Sequence, residues 1–198
     1  AYDVRSQDRH LLIGPMFHLA AGARVFCAVY MGCTMVIMPK FTPREFLELI
    51  QEHKVNATMF IPAMMQMVLD LPDFDKFDLS SLRQMSFGAS AALEELIQRI
   101  IAAFPHVDIS HGYGMTEAAP LITSLGPEYH RADFIEKGKL GAVGWPPQHV
   151  DVRVVDDQGN DVEQGEIGEI VLRGPNVMKG YIGQPELTAE TIRDGWLH

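Results

Sequence analysis

Between Val107 and Glu117 the chain reads Val-Asp-Ile-Ser-His-Gly-Tyr-Gly-Met-Thr-Glu, the stretch richest in side chains able to do chemistry. Val107 and Ile109 alternate with Asp108 and Ser110, the period of a strand, and Gly112 and Gly114 then leave the main chain free to turn and let a ligand come close. Tyr113 falls at the strand's carboxyl end, where open α/β sheets hold ligands, and its ring could carry a flat heterocycle. Thr116 and Glu117 set a hydroxyl beside a carboxylate. Such a pair suits a phosphate and its Mg²⁺, which takes one or two protein carboxylates together with phosphate oxygens. The same residues also fit a tight turn leading to a helix capped by Thr116.

Positioning these residues requires a scaffold, and the first 125 residues alternate strand and helix signals. The patterns predict strands at 11–14, 34–38, 57–61, 83–87 and 107–111, with helices at 19–31, 43–53, 62–71 and 91–104. Repeated strand–helix units imply an α/β class: a largely parallel sheet flanked by helices. The helix at 43–53 has a full start signal, with Thr42 as N-cap, Pro43 in the first position and Glu45 three residues after the cap. Met64, Met65 and Met67 suit either a flexible pocket lining or ordinary core.

The grammar changes after Gly126. Residues 126–140 read as a polar, irregular linker. A small β-rich portion, part of a barrel-like sheet, follows at 141–198, with strand-like alternation from Val150, a turn at Asp156-Asp157-Gln158-Gly159-Asn160 and a second strand at 168–173. Pro185 opens a short helix, and Trp196-Leu197-His198 reads as the start of a strand.

Composition narrows the function classes. A net charge of −10 argues against a protein that grips nucleic acid, since phosphate backbones demand clustered Lys and Arg. With 47% hydrophobic and 21% charged residues the chain is globular. Cys27 and Cys33 lack metal-site spacing and read as two buried, reduced thiols of a cytoplasmic protein, and the eight histidines form no zinc motif. Residues 19–38 carry Arg24 as their sole charge, yet Gly22 and Gly32 interrupt them. They divide into a buried helix and a strand stopped by Pro39 rather than a membrane span.

Several separated segments agree with one family. Pro15-Met-Phe-His-Leu-Ala-Ala-Gly22, Phe87-Gly-Ala-Ser-Ala91, Gly112-Tyr-Gly-Met-Thr-Glu117 and Gly165-Glu-Ile-Gly-Glu-Ile-Val-Leu-Arg-Gly-Pro175 stand in order, followed by Met178-Lys-Gly-Tyr181, Pro185-Glu-Leu-Thr188 and Gly195-Trp-Leu-His198. In these motifs the chain resembles the adenylate-forming enzymes, and within them the fatty-acyl-CoA synthetases. The resemblance implies that a carboxylate attacks the α-phosphorus of ATP, giving an acyl-adenylate and pyrophosphate. A thiol, usually that of CoA, then displaces AMP.

By the same resemblance Tyr113 stacks on adenine, while Gly112, Gly114 and Met115 border the nucleotide. Thr116 binds its phosphate and Glu117 holds Mg²⁺. Gly88, Ala89 and Ser90 close over adenine and the head of the acyl pocket. His111 either reaches the adenine amino group or is a hydrogen-bonded core histidine. His18 either lies near the acyl carbonyl and the thiol's path or is a structural residue at a helix start.

No Ser/Thr/Gly-rich loop ending in Lys-Gly is present, and Gly138-Lys139 does not complete a Walker motif. The resemblance therefore implies a phosphate loop before residue 1, and a ribose-binding aspartate and a lysine-bearing domain after His198. It describes the chain as a central segment of an enzyme, inactive alone when assayed for pyrophosphate release.

Amino-acid-activating members place an aspartate after the aromatic of the first matched motif, to pair the substrate's ammonium, whereas here Phe17 is followed by His18, Leu19 and Ala20. A buried ammonium without a partner would be costly, so the expected substrate is an uncharged carboxylic acid, a fatty acid first and an aryl acid second. Other readings are a ligase charging a different thiol, and a nucleotide-binding or interaction module without catalysis. A segment of a larger sheet would also leave edges and apolar faces open, which predicts self-association.

Overall fold

A computed structural model describes residues 3–131 and 139–198. The chain forms two compact units, residues 1–113 with 124–144, and residues 114–123 with 145–198. The expected linker at 126–140 lies partly outside the described residues.

Strands β1 (Arg9–Leu12), β2 (Thr34–Ile37), β3 (Ala57–Phe60), β4 (Gln84–Gly88), β5 (Asp108–Gly114) and β6 (Leu121–Leu125) make one sheet in the order β2-β1-β3-β4-β5-β6. The pairs β1–β2, β1–β3, β3–β4 and β4–β5 are parallel, in agreement with the strand–helix alternation of the sequence. Helices α1 (Leu19–Met31), α2 (Pro43–His53), α3 (Pro62–Leu69) and α4 (Glu94–Ala103) connect them.

The first unit's core lies where α2, α3 and α4 meet the sheet. Phe46, Leu47 and Ile50 of α2, Met65 and Val68 of α3, and Ile97 and Ile100 of α4 pack with Leu11, Phe60, Met85, Phe87 and Ile109. Burying each such side chain stabilises the fold by about 1.5–3 kcal/mol. Polar residues on β4 and β5 are buried as well: Ser86 and Ser110 pair in register, and Ser86 accepts a hydrogen bond from Arg24. A central parallel strand is covered on both faces, so the alternation around Ser110 does not bring it to water.

Several expectations need correction. The first strand begins at Arg9 rather than Leu11, because Arg9–Leu12 is the run that pairs with β2, and His10 and Leu11 within it pair with β3. Helix α1 is not buried: it covers Ala21, Gly22 and Ala28, while Phe26, Val29 and Tyr30 are 74%, 66% and 89% exposed. Apart from Arg24, which turns inward to Ser86, the helix is apolar all round and carries no periodicity to say which side faces solvent. The thiols are not both buried either: Cys27 lies on α1 and is exposed, and Cys33, just after the Gly32 C-cap, is half-buried. Thr42 occupies the N-cap of α2 but its hydroxyl contacts Glu45 Oε2 at 3.3 Å instead of capping a main-chain N–H. Met65 is core, whereas Met67 faces solvent.

The second unit holds β7 (Asp151–Val155), β8 (Glu169–Arg173), α5 (Pro185–Thr191), β9 (Ile192–Arg193) and β10 (Trp196–Leu197). Its sheet is antiparallel in the order β7-β8-β10-β9. Val155, Val171, Leu172 and Leu197 are buried, and Arg153 and Arg173 lie 5.2 and 4.6 Å from the Trp196 ring centroid. Among the described residues, no helix is long and apolar enough to cross a membrane.

Candidate functional site

In the first unit the candidate residues gather at the carboxyl ends of β4 and β5. Gly88 and Gly112 are register partners there. A Cβ on Gly88 would lie 2.3 Å from the Gly112 carbonyl oxygen, so the two strands close to a distance that excludes any side chain. Ala89 follows with φ +66°, a left-handed conformation rare for alanine, and it and Ser90 are exposed. A strained turn at the end of a central strand belongs to the class of outlier that clusters at ligand sites.

Tyr113 is half-buried near the end of β5, not packed into the core. His111, two residues earlier on the same face, is buried and stacks flat on Phe87, with ring centroids 4.5 Å apart and planes 7° from parallel. Its Nδ1 lies 3.2 Å from the Ala142 carbonyl oxygen. A carbonyl only accepts, so Nδ1 carries the proton and Nε2 keeps a lone pair. Burial pushes the His111 pKa down, against the pull of that carbonyl, and the ring is neutral at pH 7. Of the two sequence readings the structure supplies the hydrogen-bonded histidine, and the same bond leaves Nε2 as an acceptor for an amino group.

His18 stands apart. It is exposed at the N-cap of α1, its ring caps no main-chain group, and its neighbour is Phe17, with centroids 4.7 Å apart.

In the second unit Gly114 and Met115 lead into a short 3-10 turn, Thr116–Ala118. The helix that Thr116 could have capped does not form. Ala119 ends the turn at φ +46°, and a Cβ on Gly114 would sit 1.7 Å from the Pro120 carbonyl oxygen. Gly114, Met115 and Thr116 are exposed and Glu117 is half-buried.

Glu117 Oε1 accepts a 2.9 Å hydrogen bond from the Tyr181 hydroxyl, and the Glu117 carbonyl accepts one from Met178 N at 2.8 Å. The hydrogen bond to the Glu117 carboxylate pushes the Tyr181 pKa up, and the phenol is the donor of the pair. Asn176 Nδ2 donates to the Ala118 and Leu121 carbonyls at 2.8 and 3.4 Å. Sequence reasoning assigned no role to Tyr181 or Asn176. The signal available was the Met178-Lys-Gly-Tyr181 segment, whose partner cannot be read from spacing.

The donor set can be tested against a nucleotide and its metal. The side-chain-free notch at Gly88 and Gly112 and the neutral His111 acceptor fit a flat base bearing an amino group. Glu117 Oε2 accepts no hydrogen bond among the described residues, so one carboxylate oxygen is open to a cation. No group of three or more His, Cys, Asp or Glu side chains stands together among the described residues. A metal here would take its other ligands from phosphate and water, as Mg²⁺ does.

Known proteins resemble this chain over nearly its whole length. The profile of the AMP-binding enzyme family matches residues 1–182. The chain is 39% identical over 197 residues to 4-coumarate–CoA ligase 1 of Arabidopsis thaliana, covering 98% of this chain and 34% of that protein. It superposes on the Mycobacterium tuberculosis fatty acyl CoA synthetase with a TM-score of 0.85 at 32% identity, covering 99% of this chain and 37% of that one. The o-succinylbenzoate CoA synthetase of Bacillus subtilis, solved with ATP and magnesium ion, gives 0.84 at 28% identity, with 98% and 38% covered. The chain thus spans little more than a third of the length of these proteins.

Proposed function

The chain belongs to the AMP-binding enzyme family, and from that premise we propose that it is the portion of an acid–thiol ligase that binds the adenylate. The whole protein would join a carboxylic acid to the thiol of CoA through an acyl-adenylate. In this reading Tyr113 carries the adenine, with Gly112 and Gly114 admitting it and Met115 beside it. His111 Nε2 accepts from the amino group, and Gly88, Ala89 and Ser90 border the base and the acyl head. Thr116 binds phosphate and Glu117 holds Mg²⁺, which would neutralise phosphate charge as it develops. His18 is assigned to the acyl carbonyl and the thiol's path.

The observation that carries this reading is the end of β5, a half-buried ring flanked by glycines at a place where a Cβ meets backbone. The test is a calorimetric titration of AMP and of a non-hydrolysable acyl-adenylate analogue. Tyr113→Ala should weaken binding of both about tenfold or more, since stacking a base on an aromatic ring is worth about 1–3 kcal/mol. Glu117→Ala should weaken binding of magnesium-loaded ATP more than that of AMP. Variants that bind like the parent would remove the adenine and metal roles.

For the acid, the absence of an aspartate after Phe17 supports an uncharged body. A fatty acid is the first reading, supported by the likeness to a fatty acyl CoA synthetase. A hydroxycinnamic acid is the second, favoured by the 39% identity to a 4-coumarate ligase. Competition of palmitate and 4-coumarate for the adenylate-loaded protein separates them. The free thiols Cys27 and Cys33 support a cytoplasmic setting. The exposed Phe26, Val29 and Tyr30 of α1 support self-association of the isolated chain. Light scattering should give a mass above 22.1 kDa that rises with concentration, and a monomer at high concentration would contradict this.

A further inference from the structure

The segment that follows β8 reaches back to the turn bearing Glu117 at several points. Asn176 Nδ2 holds the Ala118 carbonyl, Met178 N holds the Glu117 carbonyl, and the Tyr181 hydroxyl holds Glu117 Oε1 at 2.9 Å. Tyr181 is itself fixed from behind. Its N–H donates to Thr188 Oγ1 at 2.9 Å, and Thr188 Oγ1 donates to the Gln184 carbonyl at 2.9 Å. Gly180 takes φ +144°, and a Cβ there would lie 2.6 Å from Thr188 Cγ2, so only glycine lets α5 come this close.

We propose that Tyr181 is a positioning residue, which orients the Glu117 carboxylate for a divalent cation bound with the nucleotide. This rests on the reading of Glu117 as the metal carboxylate. A carboxylate on a half-exposed two-carbon stem rotates freely, and a cation that takes one of its oxygens must stop that rotation. The phenol stops it beforehand. By occupying Oε1 it leaves Oε2 as the oxygen presented, and it never touches the cation. Partners of this kind, one bond removed from the ligand atom, govern metal affinity about as strongly as tenfold or more. Phenylalanine at 181 would keep the ring's volume while releasing the carboxylate.

The test uses this chain with Mn²⁺ as probe, titrated in the presence of ATP and followed by water-proton relaxation, which distinguishes protein·Mn·ATP from Mn·ATP. Wild type, Tyr181→Phe, Glu117→Gln and the double variant are compared, with thermal melts confirming that each is folded. We expect Glu117→Gln to weaken the ternary complex at least tenfold, Tyr181→Phe to weaken it about tenfold, and the double variant to bind like Glu117→Gln. Tyr181→Phe binding like wild type while Glu117→Gln fails would overturn the role of Tyr181 and leave the metal role of Glu117 standing. An equal loss from Tyr181→Phe in both backgrounds would show a packing role and overturn it too. Glu117→Gln binding like wild type, or a wild type that forms no ternary complex, would overturn the metal reading and this inference with it.

Discussion

His111 is a residue whose chemistry is set by one bond. Its Nδ1–H is committed to the Ala142 carbonyl and its ring lies on Phe87, so what it can offer a ligand is the lone pair of Nε2. If a base binds there as proposed, that lone pair favours an amino group over a carbonyl on it. His111→Phe keeps the stack and removes the acceptor. The variant should lose about three- to tenfold in affinity for AMP, the worth of one neutral hydrogen bond near 1 kcal/mol, while affinity for IMP stays level. Equal losses for AMP and IMP would contradict the assignment. The sequence made Tyr113 and its flanking glycines legible because neighbours in the chain are neighbours in space. It hid the Tyr181 contact to Glu117, since a hydrogen bond across 64 positions leaves no local pattern.

Among the elements, the pair β4 and β5 is the most tightly specified. A Cβ added at Gly88 would lie 2.3 Å from backbone of the next strand, and backbone in a central sheet cannot step aside as a side chain can. Gly88→Ala should therefore cost about 1–3 kcal/mol in urea unfolding. Gly141→Ala, whose Cβ would meet Glu94 Oε1 at an ordinary 3.5 Å, should change stability by less than about 0.5 kcal/mol. Two equal losses would mean that the close approach is not what glycine serves. Helices α2 and α4 could be read from their apolar spacing and parallel strands from the alternation of types. Strand β6 was not foreseen, because five residues between Pro120 and Gly126 carry too short a pattern, and neither was β9, which pairs over two residues. The outward face of α1 was hidden because its residues other than Arg24 are uncharged and mostly apolar, and Arg24 itself turns inward to Ser86.

At the scale of the whole molecule, three buried imidazoles share one response to acid. Burial pushes the pKa values of His10, His111 and His130 down. The unfolded chain takes up these protons near pH 6.5 while the folded chain refuses them. The proton-linked penalty of their burial is therefore absent above that pH, and stability falls as the pH drops below it. Each group subtracts about 1.4 kcal/mol per pH unit between 6.5 and its lower folded value. The urea midpoint should fall between pH 7.5 and pH 5.5, and His130→Gln should make the fall shallower. A midpoint unchanged over that range would refute the burial of these groups as neutral rings. Such a response could not be read from eight scattered histidines, because burial is a property of the packed fold.

Where Gly88 faces Gly112, the atoms nearest the missing side chain are peptide atoms of Gly112. A surface of that kind has no rotamers to freeze when a molecule is laid against it, whereas each immobilised side chain at a binding surface costs about 0.5–1.5 kcal/mol. In the proposed reading that surface is already in its bound form before a nucleotide arrives, and what it contributes to affinity is lost to no ordering of its own.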